Sequence, residues 1–265
     1  INTQSDLGKE LSNMFAEERQ EQILELLKRN KRVSNTELIK KFGVSGTTIR
    51  IDLTELEQKG LLSRTHGGAI LKEDPVYGED SISSRREKNK EAKECIARKA
   101  REQIEDGDTI LLDSGTTALD LAALLNELHN LTVITNDLQI ALKLQKCPEI
   151  HLILLGGRVR TSFECTVGGM GIRALEELSV DKVFMTTNAL SLQKGATTPN
   201  LDNAEIKRAM MKIGNQRYLL CDSSKIGTKT VCSFAKIEEF DVLITDNKIS
   251  QEMKEKIEKL HIEVL

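Results

Sequence analysis

The residues of this 265-residue chain best suited to chemistry lie in short polar or glycine-rich runs. They are Asp113-Ser114-Gly115-Thr116-Thr117, Thr135-Asn136-Asp137, Gly156-Gly157-Arg158, Thr187-Asn188-Ala189, Lys194-Gly195-Ala196-Thr197-Thr198-Pro199 and Asp222-Ser223-Ser224-Lys225. Together they offer hydroxyls, amides, a guanidinium and two ammonium groups, a donor set suited to a polyol bearing a phosphate. Where Ser114 to Thr117 open a helix, backbone N–H groups and the helix dipole favour an anion. Taken alone, the same run can simply cap a helix. Aldose–ketose isomerisation needs a general base beside the C–H that breaks. Residues 182–201 contain no Asp or Glu, and Asp113 and Asp222 are equally suited to bonding sugar hydroxyls. The histidines (His66, His129, His151, His261) are isolated from one another, and the five cysteines show no C-x-x-C spacing. Neither a metal site, a disulfide framework nor a cofactor is expected.

These runs need elements to position them. Apolar strand candidates at 109–113, 131–135, 150–155, 181–187, 217–221 and 242–245 alternate with helix candidates at 118–128, 138–145, 171–178, 203–213 and 251–260. Such alternation predicts an α/β body whose parallel sheet is covered on both faces. In open parallel sheets ligands bind at the carboxyl ends of the strands, where these runs fall. A long helix over Ser81–Ile104 is expected to lead into the body, with Ala92, Ile96, Ala100 and Ile104 at four-residue spacing.

The first seventy residues read differently. The chain carries a formal charge of −3, yet the window Lys28–Arg64 holds nine Lys/Arg against four Asp/Glu. A local basic face inside an acidic protein suits a polyphosphate partner, or is a solvated helix surface. Residues 18–30 form an amphipathic helix with Ile23, Leu26 and Leu27 on one side. Ser34 and Glu37 make a capping box for a second helix that Gly43 ends. Ser45 caps a third, with Ile49, Leu53 and Leu56 buried, and Leu61–Arg64 and Ala69–Leu71 form a hairpin turning at His66-Gly67-Gly68. Three short helices and a hairpin make a winged helix-turn-helix, which holds one helix proud enough to enter a major groove. On that helix the face opposite the core centres on Ile51, with Thr47 and Thr54 beside it and Arg50 at its flank.

Two sets of motifs carry a resemblance. Val44 to Leu53 and Leu56 to Ala69 resemble the DNA-binding head of the DeoR family of bacterial regulators. Over residues 90–247, Asp-Ser-Gly-Thr-Thr at 113–117, Val-Ile-Thr-Asn at 133–136, Leu-Leu-Gly-Gly at 154–157, Val-Gly-Gly at 167–169, Thr-Thr-Pro at 197–199, Lys-Arg-Ala-Met at 207–210 and Asp-Ser-Ser-Lys at 222–225 resemble that family's effector domain. The resemblance implies a ribose-5-phosphate isomerase-like body behind a winged helix-turn-helix. It also implies a repressor of a carbohydrate-utilisation operon that a phosphorylated sugar releases from operator DNA. The expected domains are residues 14–71 for DNA, 72–90 as linker and start of a connecting helix, and 91–265 for the effector. The expected DNA-binding residues are Ser45, Thr47, Thr48, Arg50, Ile51, Thr54, Arg64 and His66. The expected effector residues are Asp113, Ser114, Gly115, Thr116, Thr117, Asn136, Gly157, Arg158, Asn188, Lys194 and Lys225. Family members commonly carry a second Arg where Ile51 stands, and often Gly-Ala-Asp/Asn-Gly where this chain has Thr186-Thr187-Asn188-Ala189. The rival reading, a sugar-phosphate isomerase-like enzyme, meets the carboxylate-free stretch at 182–201. A homo-oligomer (dimer or tetramer) is expected. No apolar run is long enough for a bilayer and residues 1–13 lack an apolar core, so a cytoplasmic protein with no membrane partner is expected, with Met14 read as the natural start.

Overall fold

The computed structural model of the chain describes residues 15–30, 32–58, 61–65, 67–71 and 82–265. Residues 1–14 (with the expected start at Met14), His66 and residues 72–81 of the expected linker lie outside these. The chain divides into two compact units, which meet in sequence between Glu79 and Asp80.

In the first unit α1 (Ala16–Asn30) precedes β1 (Arg32–Ser34), α2 (Asn35–Phe42), α3 (Gly46–Gln58), β2 (Leu62–Thr65) and β3 (Gly68–Leu71). The expected capping box forms: Ser34 Oγ accepts from the Glu37 N–H, and a Glu37 carboxylate oxygen accepts from the Ser34 N–H. Ser45 Oγ likewise accepts from the Thr48 N–H. Ile23, Leu27, Leu38, Phe42, Ile49, Leu53, Leu56 and Leu62 fill the core. The strand β1 is absent from the sequence reading. It pairs with β3, so the hairpin becomes a three-stranded sheet in the order β1-β3-β2. This pairing explains Gly68, where a Cβ would sit 2.0 Å from the Val33 carbonyl oxygen.

The second unit opens with two helices where one was expected. They are α4 (Ile82–Glu87) and α5 (Lys90–Arg101). Asn89 breaks them, with φ 54°. Asparagine tolerates this left-handed conformation, and its amide is held there by Asp222 Oδ1 at 3.0 Å and Ser224 Oγ at 2.9 Å. The buried Lys93 ammonium then donates to the carbonyls of Arg85 and Arg86 at 2.7 and 2.8 Å, satisfying the end of α4.

The remaining strands and helices of the main sheet are β4 (Thr109–Leu112), α6 (Thr116–Ala122), β5 (Leu131–Thr135), α7 (Leu138–Leu144) and β6 (Ile150–Leu154). A hairpin of β7 (Arg158–Arg160) and β8 (Cys165–Val167) leads to α8 (Gly169–Glu176) and β9 (Val180–Thr186). After β10 (Ala189–Ser191) and β11 (Gly195–Thr198) come α9 (Leu201–Lys212), β12 (Gly214–Leu220), β13 (Cys232–Ala235), β14 (Val242–Ile244), α10 (Gln251–Glu258) and β15 (Glu263–Val264). Seven parallel strands form one sheet in the order β15-β14-β12-β9-β4-β5-β6. The α/β body is thus as expected. One core face contains Leu111, Val183, Met185, Leu219 and Met210, the other Ile110, Leu112, Phe184, Leu121 and Ile96. The order places β4 between β5 and β9, so the loops leaving these three strands converge at one end of the sheet.

Candidate functional site

In the helical unit, the face of α3 away from the core carries Thr47, Arg50 and Ile51, all exposed, with Ile51 at 53% exposure. Thr48 is half-buried and occupied with Ser45. Thr54 is committed on both sides: its hydroxyl donates to the Arg50 carbonyl and accepts from Arg64 Nη1, each at 2.7 Å. Glu57 accepts from the Arg64 N–H at 2.8 Å. The wing residue Arg64 is therefore fastened to α3, while Thr47, Arg50 and Ile51 are the expected residues within α3 that stand exposed. Behind them Asp52 is buried and bound by both Nε (2.6 Å) and Nη2 (3.0 Å) of Arg19. One acid of the basic window is thereby neutralised from outside that window.

In the body, the loops after β4 and β9 enclose a crevice with α4, α9 and the β7–β8 hairpin. Ile82, Arg85, Ser114, Gly115, Asn188 and Lys207 line it, together with Phe163, Cys165, Thr186 and Asn203. Asp113 lies beneath, fully buried. Its Oδ2 accepts from the Thr186 N–H and hydroxyl, both at 2.9 Å, and forms a buried ion pair with Lys207. The Thr186 hydroxyl has one proton, which it shares between Asp113 Oδ2 and the Ser114 carbonyl oxygen 2.7 Å away, and its side chain packs against Gly115. A side chain smaller than Thr186 would leave that corner open. Asp137 holds the loops together: it accepts from the Gly115 N–H and caps α7 through the Gln139 and Ile140 N–H groups. Burial pushes its carboxyl above the ordinary aspartate range, and those three amides offset only part of the rise. Burial also pushes the Cys165 thiol up.

The expected effector residues are only partly brought together. Ser114, Gly115 and Asn188 face the crevice, with Asp113 under it. Thr116 and Thr117 are buried in the first turn of α6. Asn136 is buried and donates to the Thr166 carbonyl. Gly157, at φ 152°, gives β7–β8 room to close, since a Cβ there would meet the Val167 carbonyl oxygen at 2.6 Å. The three cations stand elsewhere. Arg158 pairs with Asp202, and Lys225 with Asp222 at 3.1 Å. Lys194 sits at the outer turn of the β10–β11 hairpin. The cations lining the crevice are instead Arg85 and Lys207, which the sequence reading did not assign. A signal for Lys207 was present: it shares the buried face of α9 with Ala204 and Met211, a place where a lysine needs a partner.

Comparison with known proteins agrees with this two-part arrangement. Residues 19–74 match the DeoR-like helix-turn-helix domain, and residues 88–247 match the DeoR C terminal sensor domain. The chain belongs to the DeoR family. As a DeoR-family member it is a DNA-binding transcriptional regulator whose body is a sensor domain. It is similar to the HTH-type transcriptional regulator GolR of Listeria innocua, 37% identical over 92% of this chain and 96% of that one. It is also similar to the lactose phosphotransferase system repressor of Staphylococcus epidermidis, 37% identical over 94% of this chain and 98% of that protein. Among solved structures, ribose 5-phosphate isomerase A from Methanocaldococcus jannaschii aligns over 51% of this chain and 53% of that one, with 19% identity and a TM-score of 0.38. Among the described residues of this regulator, no helix is long and apolar enough to cross a membrane.

Proposed function

We propose that this DeoR-family regulator is a cytoplasmic repressor of a carbohydrate-utilisation operon, released from its operator by a phosphorylated sugar. The head, residues 14–71, holds DNA through Thr47, Arg50 and Ile51, and the body, residues 91–265, takes the effector. The observation that carries the reading is the crevice at the ends of β4 and β9. Ser114, Thr186, Asn188 and Asn203 give it hydroxyl and amide groups for a polyol, and Arg85 gives it a cation for a phosphate. The relative named as a repressor of a lactose phosphotransferase system supports a sugar operon as the target. Two heads on one homo-oligomer suit a pseudo-palindromic operator, and an effector that couples by about 1–3 kcal/mol is enough to release it.

The same crevice argues against an enzyme. The loop after β9 has no carboxylate, and Asp113, the acid beneath the crevice, is fully buried and ion-paired through Oδ2 with Lys207, which leaves Oδ1 to accept a hydrogen bond rather than to take a proton from carbon. A proton-abstracting base must be available to substrate, whereas a sensor needs only affinity. The test is binding of the full-length protein to its own promoter region, with and without a panel of hexose and pentose phosphates and their free sugars. Release by one phosphorylated sugar, and not by its unphosphorylated form, is the expected result. Indifference to the whole panel, or equal response to the free sugar, would overturn the effector assignment. Ribose 5-phosphate turnover above background would overturn the non-enzymatic reading, and light scattering at the monomer mass would overturn the oligomer.

A further inference from the structure

The crevice that this functional reading assigns to the effector is already occupied by the protein itself. It spans about 320 Å³ counting its open mouth, but only about 10 Å³ of that can hold the centre of a water molecule. That is space for about one water, far less than any sugar phosphate needs. Two of its wall residues, Ile82 and Arg85, come from α4, while the others come from the strands, loops and helix around the sheet end. The packing leaves polar groups poorly served. Asn203 is more than nine-tenths buried in the crevice wall, and neither its Oδ1 nor Asp113 Oδ1 beneath it has a hydrogen-bond partner among the described residues. Unpaired buried acceptors are costly and uncommon, and sugar hydroxyls are donors that would satisfy them. An isolated helix of six residues does not hold itself in water. α4 therefore owes its form to its seat on the body, where Lys93 holds its last carbonyls and Arg86 pairs with Glu164 at 3.2 Å.

We propose that α4 is a displaceable plug, and that effector binding expels Ile82 from the crevice in exchange for the ligand. The consequence reaches the DNA-binding unit through the chain itself. In sequence, residues 72–81 lie between the end of β3 and the start of α4. A ligand that unseats α4 therefore moves the first described residues of the body, which follow that segment in sequence. Arg85 has a long side chain, so its guanidinium can stay with an anion at the mouth while Ile82 withdraws. The inference rests on the proposed effector class for its trigger, though the plug itself can be tested without any effector.

Cys165 lines the crevice and is 1% exposed, while Cys221 is fully buried in the core on one face of the sheet. Thiol labelling of the full-length protein, mapped by mass spectrometry, thus reports the plug at Cys165 and global unfolding at Cys221. Ile82→Asp, which places a charge against the crevice wall, is expected to speed Cys165 labelling roughly tenfold or more while Cys221 stays protected. Ile82→Ala is expected to move it the same way by less. Labelling of Cys165 that is unchanged in both variants would overturn the plug. Should Ile82→Asp expose Cys221 as well, it has unfolded, and Ile82→Ala decides by the same criterion. A second measurement follows amide hydrogen exchange over residues 83–87 in the presence of ribose 5-phosphate and the hexose 6-phosphates. Faster exchange with whichever compound binds is expected, and slower exchange, the mark of a lid closing over the ligand, would overturn the proposal. If no compound binds, the effector class has failed and the cysteine labelling still decides the plug.

Discussion

Lys207→Met tests the arrangement of the crevice floor most severely. Lys207 and Asp113 expose only 4% and 1% of their side chains, and the ammonium has three donors to place. One goes to Asp113 Oδ2, one to the Thr186 carbonyl at 3.1 Å, and the third points to the Thr186 hydroxyl at 3.4 Å. Methionine matches the length of the stem but strands the Asp113 charge in the interior. Removing one partner of a buried pair costs about 3–5 kcal/mol. The body runs from Asp80 to Leu265, which is 186 residues. At roughly 2–4 °C per kcal/mol for a domain of that size, its melting temperature should fall by about 6–20 °C. The double variant Asp113→Asn with Lys207→Met removes both charges, and an asparagine oxygen can still accept from the Thr186 N–H. It should recover most of the loss, so that the two substitutions are far from additive. Calorimetry of the two single variants, the double variant and the parent protein provides the cycle. A Lys207→Met loss below about 1 kcal/mol, or an additive double variant, would refute a buried coupled pair.

The other predictions concern recognition, the wing and acid stability. Arg50→Ala should weaken binding to every operator variant and flatten its salt dependence by about one phosphate contact, whereas Ile51→Arg should reorder the variants; titrations at several salt concentrations separate the two. An unchanged order would show that Ile51 does not meet the bases. Gly68→Ala forces a methyl against the Val33 carbonyl, so the β1–β3 pairing must shift. A loss of about 1–3 kcal/mol is expected in the unfolding of the head, together with weaker DNA binding. Burial alone would raise the Asp222 carboxyl, yet Lys225, Ser224 and Asn89 together hold it below the ordinary aspartate value. A depressed carboxyl contributes stability above its unfolded pKa and loses it as pH falls through the folded one. Asp222→Asn should therefore destabilise the protein at neutral pH, with the difference from the parent closing below about pH 4. Urea denaturation at pH 7 and pH 3.5 checks the sign.

How far the sequence could lead is clearest from what placed each side chain. Periodicity finds elements whose faces differ, so the core helices of the head and the alternating strands of the body were legible. The pair Ser34 and Glu37 located a helix start because both halves of that contact are local. What was missed depends on partners far away in the chain. Asn89 breaks the expected long helix because Asp222 and Ser224, more than 130 residues later, hold its side chain. β1 is three residues long and exists through pairing with β3. The three expected cations stand away from the crevice for one reason: sequence shows that a loop leaves a strand end but not which way the loop then runs. β10 and β11 carry Lys194 out to a hairpin turn, while Arg158 and Lys225 each meet a carboxylate before they can meet a ligand. Ser114 and Asn188, short side chains next to the strand ends, have little length over which to stray and line the crevice, whereas Asn136 turns inward to the Thr166 carbonyl. The crevice draws its cations instead from helix faces, Lys207 on α9 and Arg85 on α4. A charge on a rigid helix is positioned by packing, and packing is the part of the fold that spacing along one chain does not reveal.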